Sequence, residues 1–366
     1  MRLAEPIIDR SCGPSGCEIE WLASPRVEVE DDPVEFTRFA TDAGWGDGLP
    51  LIPPREALVR EWVAASGRFP DDLLAELPPR RGRCTVEKVA VNAVMAGCRP
   101  EYLPVVLAAV EGYCSETFNG HGLLATTYFA GPVLIVNGPI TTRIGMNSGG
   151  NLFGQGNRAN ATIGRALQLV VRNVGGGRPG GVDRATLGNP GKYTFCFAED
   201  EAGSPWEPLS VERGFAPGAS TVTLFAGEGP RGIVDQLSRE AESLAASLAS
   251  AALGVGHPKL ALGFDAVLVI SPEHGRVFRN AGWSKARVRE EIGHHTVRRG
   301  ADLVRGAGSV AEGLPLGFEE VDVPKFGPDG LMIVHAGGTA GMFSAIIGGW
   351  INGPGGSQPV TVEVGS

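Results

Sequence analysis

The chain has no apolar run near the ~18 residues that a membrane-spanning helix needs. Its start, Met1-Arg-Leu-Ala-Glu-Pro-Ile-Ile-Asp9, lacks the basic and apolar regions of a signal peptide. A cytoplasmic location is the expectation that follows. A basic surface is missing too: 41 acidic side chains outnumber 32 Lys and Arg, leaving a net charge of −9. Neither nucleic acid nor a membrane is therefore an expected partner. H-E-x-x-H, G-x-S-x-G and repeated C-x-x-C are absent, which removes the familiar metalloprotease, serine hydrolase and zinc-finger readings. Cysteines number only six, and in a reducing compartment they read as thiols rather than staples. Cys12-Gly-Pro-Ser-Gly-Cys17 lies in a leader spanning residues 1–30, where incidental thiols, a small disulfide ring and a soft-metal site all remain open.

What the chain has in excess is glycine, 54 residues without a Gly-X-Y period, consistent with many tight turns. The stretch around which the chain looks organised runs from Asn147 to Asn173 and opens with four glycines in ten residues. Before it, Pro132–Val136 reads as a buried strand; after it, apolar spacing predicts a helix. A strand, a glycine loop and a helix present bare N–H groups and a positive helix end to an anion. Asn147, Ser148, Asn157 and Asn160 add polar groups, and Arg158 and Arg165 add cations. No phosphate-loop or dinucleotide fingerprint occurs in this stretch, which favours a carboxylate or other small oxyanion. The competing reading is a structural turn whose asparagines bind the loop to itself.

The remaining periodicity predicts an α/β fold: mixed or parallel sheets with flanking helices, glycine-rich strand–loop–helix turns, and a helical N-terminal part. Helices are expected over 32–43, 55–76, 85–96, 101–111 and 233–253, with strands at 193–200, 221–226, 264–271 and 359–364. Gly330–Ile347 reads as a second strand, glycine turn and helix, with Thr339 on the turn as a further ligand contact. Gly254–Lys259 suggests a boundary between a main α/β domain, 31–253, and a C-terminal α/β subdomain, 254–366.

Cys98 sits between two predicted helices, beside Arg99, where both a helix N-terminus and a cation favour thiolate. It is the candidate nucleophile or redox thiol, and a buried corner residue is its competing reading. His121, on a glycine-flanked loop, and His274 and His335, at predicted strand ends, are candidate acid/base groups. Glu199, Asp200, Glu201 and Glu207 could form a metal or acid/base cluster, and the favoured reading is a solvated acidic loop.

Five phrases, Gly44–Pro54, Thr85–Glu101, Asn157–Arg165, Ile270–Gly275 and Gly282–Lys285, resemble a bacterial family associated with small (seleno)proteins that carry a U/C-G-S-C motif. The resemblance implies thiol or selenol chemistry; C-G-S-C itself is absent. The leading expectation is a cysteine-dependent enzyme for a small anionic metabolite, doing lyase, hydrolase or thiol-redox chemistry. One rival is a hydrolase or lyase with a divalent metal on histidines and Glu273. The other is a non-catalytic partner of a small redox protein. No cofactor is otherwise expected, and a homo-oligomer is.

Overall fold

The computed structural model describes residues 22–365, so the Cys12 and Cys17 pair lies outside the described residues. At its centre is a mixed eight-stranded sheet. Six strands run in the order Leu331–His335, Phe264–Ile270, Phe343–Ile351, Thr221–Gly227, Gly131–Asn137 and Cys196–Ala198. Val360–Glu363 adds to the 221–227 strand, and Arg231–Val234 adds to the 343–351 strand. Two pairings are parallel, 331–335 with 264–270 and 131–137 with 196–198; the others are antiparallel. The expected α/β class with flanking helices is what the chain adopts. Strands from both sides of residue 254 share this sheet, since 343–351 and 360–363 pair with 221–227.

Strand side chains point alternately to opposite faces, and here the two faces enter different cores. Leu134 and Val136 pack outward under one set of helices, whereas Val133 and Ile135 pack inward. At the other end of the sheet, Leu268 and Ile333 pack outward, and Val267, Val269, Met332 and Val334 pack inward. The sheet is thus doubled over an inner apolar layer, its halves joined at the register pair Gly349 and Gly227. Each fully buried aliphatic side chain in that layer contributes roughly 1.5–3 kcal/mol.

The outer layers are helical. Val86–Ala96, Leu103–Tyr113 and Arg158–Val170 cover the first half, and Ala241–Ala252, Pro272–Asn280 and Lys285–Thr296 cover the second. The helical N-terminal part is present as Pro33–Asp42, capped by Asp32, and Glu56–Ala65. Among the described residues no helix is long and apolar enough to cross a membrane.

Three element expectations are corrected. The 55–76 helix stops at Ala65, and Leu73–Leu77 pairs with Gly82–Thr85 as a hairpin; Gly67 and Pro70 interrupt the helical run. The 233–253 helix begins only at Ala241, because 231–234 joins the sheet and the Asp235 carboxylate accepts the N–H groups of Leu237 and Ser238 in a turn. After Gly330 the chain forms a strand, a loop and another strand: Phe343–Ile351, rich in Ile and Gly, lies inside the sheet beside 264–270. Tertiary pairing there overrides a local pattern that suited either element.

Candidate functional site

The doubled sheet brings together chain segments that are far apart in sequence. The Asp200 N–H donates to the His335 carbonyl at 2.8 Å, and the Gly337 N–H donates to the Ser148 carbonyl at 2.8 Å. Both predicted glycine loops, 147–157 and 336–342, therefore meet at one seam beside the carboxyl ends of the 196–198 and 331–335 strands. Their backbones touch: a Cβ on Gly338 would lie 3.3 Å from the Gly150 Cα. Ligands in open α/β sheets gather outside such strand ends.

Under the seam lies a buried polar network. Glu199 is 3% exposed, and its Oε2 accepts from Asn137 Nδ2 at 2.6 Å and the Leu209 N–H at 2.8 Å. Its Oε1 stands 3.8 Å from the Lys285 ammonium, which pairs at 2.8 Å with Glu212. Burial pushes the Glu199 carboxyl above its ordinary value, against the pull of Lys285 and the donors around it. The acidic loop is therefore not wholly solvated; sequence reasoning weighed Glu199 and set it aside as solvated, and it missed Lys285. Both left a trace. Phe195, Phe197 and Glu199 follow the strand's period of two, and Lys285 puts a cation in the first turn of the 285–296 helix, against the helix dipole.

His335 is buried at the end of its strand. Its Nδ1 faces the Asp200 carbonyl at 3.2 Å and the Asp200 carboxylate at 3.4 Å. Both are acceptors, so the proton of a neutral ring sits on Nδ1 and the lone pair on Nε2. Burial holds the ring below its ordinary value, outweighing the upward pull of Asp200. The Cδ2–Nε2 side of the ring lies against Gly275, where a Cβ would come 2.9 Å from Cδ2 and 3.0 Å from Nε2. Any side chain at 275 would displace the imidazole. Among the described residues the N–H groups of Gly338, Thr339 and Ala340 find no acceptor, and Thr339 is exposed.

The other candidates fall elsewhere or are engaged. Asn147 and Asn160 clasp each other, N–H to Oδ1 at 3.0 Å and Nδ2 to carbonyl at 2.9 Å. Asn157 caps the 158–170 helix and donates to the Gly145 carbonyl. The asparagines thus tie the loop to itself. Arg158 Nε donates to the Gly97 carbonyl at 2.8 Å, and Arg165 binds Asp47. Cys98 is 1% exposed, with its thiol toward the Thr162 carbonyl at 3.3 Å. Burial pushes that thiol up to about 12, which the Arg158 and Arg165 charges do not reverse. The expected thiolate character is overturned, because desolvation of the charged form outweighs the nearby cations.

His274 is fully buried with both ring nitrogens taken, Nδ1 by the Ser344 hydroxyl at 2.7 Å and Nε2 by the Asp235 carbonyl at 3.0 Å. It pins helix to sheet. Glu273 Oε2 accepts the Met342 N–H at 2.6 Å, closing the 336–342 loop. His121 is exposed in the short helix Gly120–Ala125. Among the described residues no three His, Cys, Asp or Glu side chains stand together as a metal-ligand group. No family model, curated protein or solved structure matches the chain.

Proposed function

We propose that the protein is an enzyme acting on a small carboxylate metabolite, with His335 as general base at the seam of the two glycine loops. The observation behind this reading is the orientation of His335: a neutral imidazole, its Nδ1–H held by Asp200, leaves a lone pair on Nε2. A base oriented by a carboxylate is a recurring arrangement in proton transfer. In the proposed step Nε2 takes a proton from the carbon beside the substrate's carboxylate, and Asp200 stabilises the imidazolium. Charge developing on the substrate's oxygen meets the open amides of Gly338 and Thr339. This is lyase or isomerase chemistry rather than thiol chemistry, since Cys98 is desolvated and the Arg158 and Arg165 cations are engaged. His335 is 1% exposed, so the proposed step requires the packing around Nε2, where Gly275 lies against the ring, to open for substrate.

Incubation with a panel of small hydroxy, keto and dicarboxylic acids in heavy water, followed by proton NMR, tests the reading. Deuterium should enter the carbon beside the carboxylate with wild-type protein, about 100-fold more slowly with His335→Gln. Equal exchange by both proteins, or exchange of no acid, would remove the proposal.

A further inference from the structure

A cavity lies apart from the seam and shares none of the seam's residues. Among the described residues it encloses about 650 Å³ between the 22–31 segment, the Gly44–Pro54 strap and the 86–96 helix. That volume suits a small organic ligand. Its walls are largely apolar, with Val29, Phe36, Trp45, Val91 and Met95 among them. Three of its four acids are already satisfied: Glu87 accepts the N–H groups of Ala23 and Ser24 at 2.9 Å each, Asp31 pairs with Arg55, and Glu56 pairs with Arg60; the fourth, Glu30, is exposed to solvent.

The cation in the wall is not. Among the described residues Arg178 has no carboxylate and no carbonyl partner for its guanidinium, and its Nε is buried without an acceptor. Arg172 lies close enough that burial, and then the Arg178 charge, hold it below its ordinary value. Asp47, whose charge pulls Arg172 the other way, is already committed to Arg165. Asn173, also lining the cavity, uses its Nδ2 on Trp45 and Asn92 and leaves its Oδ1 buried and unpaired. Buried polar groups in native proteins find partners. One uncompensated guanidinium and one orphaned acceptor in an apolar cavity call for an anion that also carries a donor.

We propose that this cavity binds an organic acid with an apolar body and a hydroxyl or N–H group, its carboxylate on Arg178 and its donor on Asn173. Calorimetry on the full chain tests it, with 3-phenyllactate as the probe and its methyl ester as the uncharged control. The acid should bind one to one, the ester should not, and Arg178→Met should weaken the acid about thirtyfold or more. His335→Gln should leave this binding unchanged, so failure here and failure of the seam reading are separable. Should Arg178→Met not fold, phenylglyoxal labelling of wild-type protein gives the answer: phenyllactate must slow modification of Arg178 and leave exposed Arg38 unaffected. Absence of acid binding overturns the proposal. Equal binding of acid and ester, or unchanged binding by Arg178→Met, overturns it as well.

Discussion

Arg165 grips Asp47 with two parallel hydrogen bonds, Nε to Oδ2 at 2.7 Å and Nη2 to Oδ1 at 2.8 Å, across 118 residues of sequence. The same guanidinium donates to the Pro50 carbonyl at 2.9 Å. A bidentate pair of this kind fixes geometry as well as energy, and here it clamps the 44–54 strap to the 158–170 helix. The residue that looked like a ligand-binding cation is a rivet.

Arg165→Met should therefore destabilise the fold by about 3 kcal/mol, because Asp47 is left desolvated without its partner. Equilibrium urea unfolding measures this. Burial alone would raise the Asp47 carboxyl, but Arg165 together with backbone N–H donors more than offsets it, and the group sits below its ordinary value of 3.8. The stability from this pair is thus present above that value and lost as pH falls through the depressed one. Wild type should show that acid-side loss and Arg165→Met should not; matching acid limbs would mean that the clamp is energetically idle.

His335 carries the opposite kind of information, since it is kept neutral rather than charged. Its folded value lies below the ordinary 6.5, so the unfolded chain binds a proton first as pH drops. Stability from this ring is full above 6.5 and falls as pH decreases toward the lowered value. The difference in unfolding free energy between wild type and His335→Gln should shrink across that window. Imidazole NMR should report the same titration directly. A ring titrating above its ordinary value would contradict both the burial and the proposed general base.

The parts of this structure that were legible in the sequence are those set by local chemistry. The 86–96 helix starts where Thr85 accepts the N–H of Lys88, and Asn157, read as part of the anion loop, turns out to cap the 158–170 helix in the same way. The 131–137 and 264–270 strands read as continuous apolar runs because both faces are buried. The 343–351 strand did not, since its identity depends on two partners supplied by other parts of the chain. The seam was half legible: both glycine loops and His335 were singled out, and their meeting was not. Nothing in one sequence reveals that the sheet doubles over and lays Gly338 on Gly150. Cys98 misled for a related reason. Its neighbours in sequence predict a thiolate, whereas its neighbours in space remove the water that a thiolate needs.

Alkylation checks that last point. At about pH 8 a thiol pushed up to about 12 is almost wholly protonated, and only the thiolate attacks. Iodoacetamide should leave Cys98 unmodified in the native protein and label it readily in urea, with the site read by peptide mass spectrometry. Rapid native labelling of Cys98 would restore the thiol chemistry that its surroundings now argue against.

The buried network beneath the seam gives the sharpest pH signature. Lys285 is 4% exposed, and it is the cation that lets Glu199 remain in the interior. Lys285→Met should cost about 3–5 kcal/mol, the range for breaking a buried pair by removing one partner. Without that cation the Glu199 carboxyl, already raised by burial, rises further. A raised carboxyl contributes its stability at low pH and loses it as pH climbs past the ordinary value of 4.5. The variant should therefore be least impaired near pH 5 and most impaired near pH 8. Adding Glu199→Gln removes the charge and should recover part of the loss at pH 8 but little at pH 5, a coupling that a double-mutant cycle isolates. Additive effects at both pH values would show that Lys285 acts through Glu212 alone, and that Glu199 does not draw on its charge.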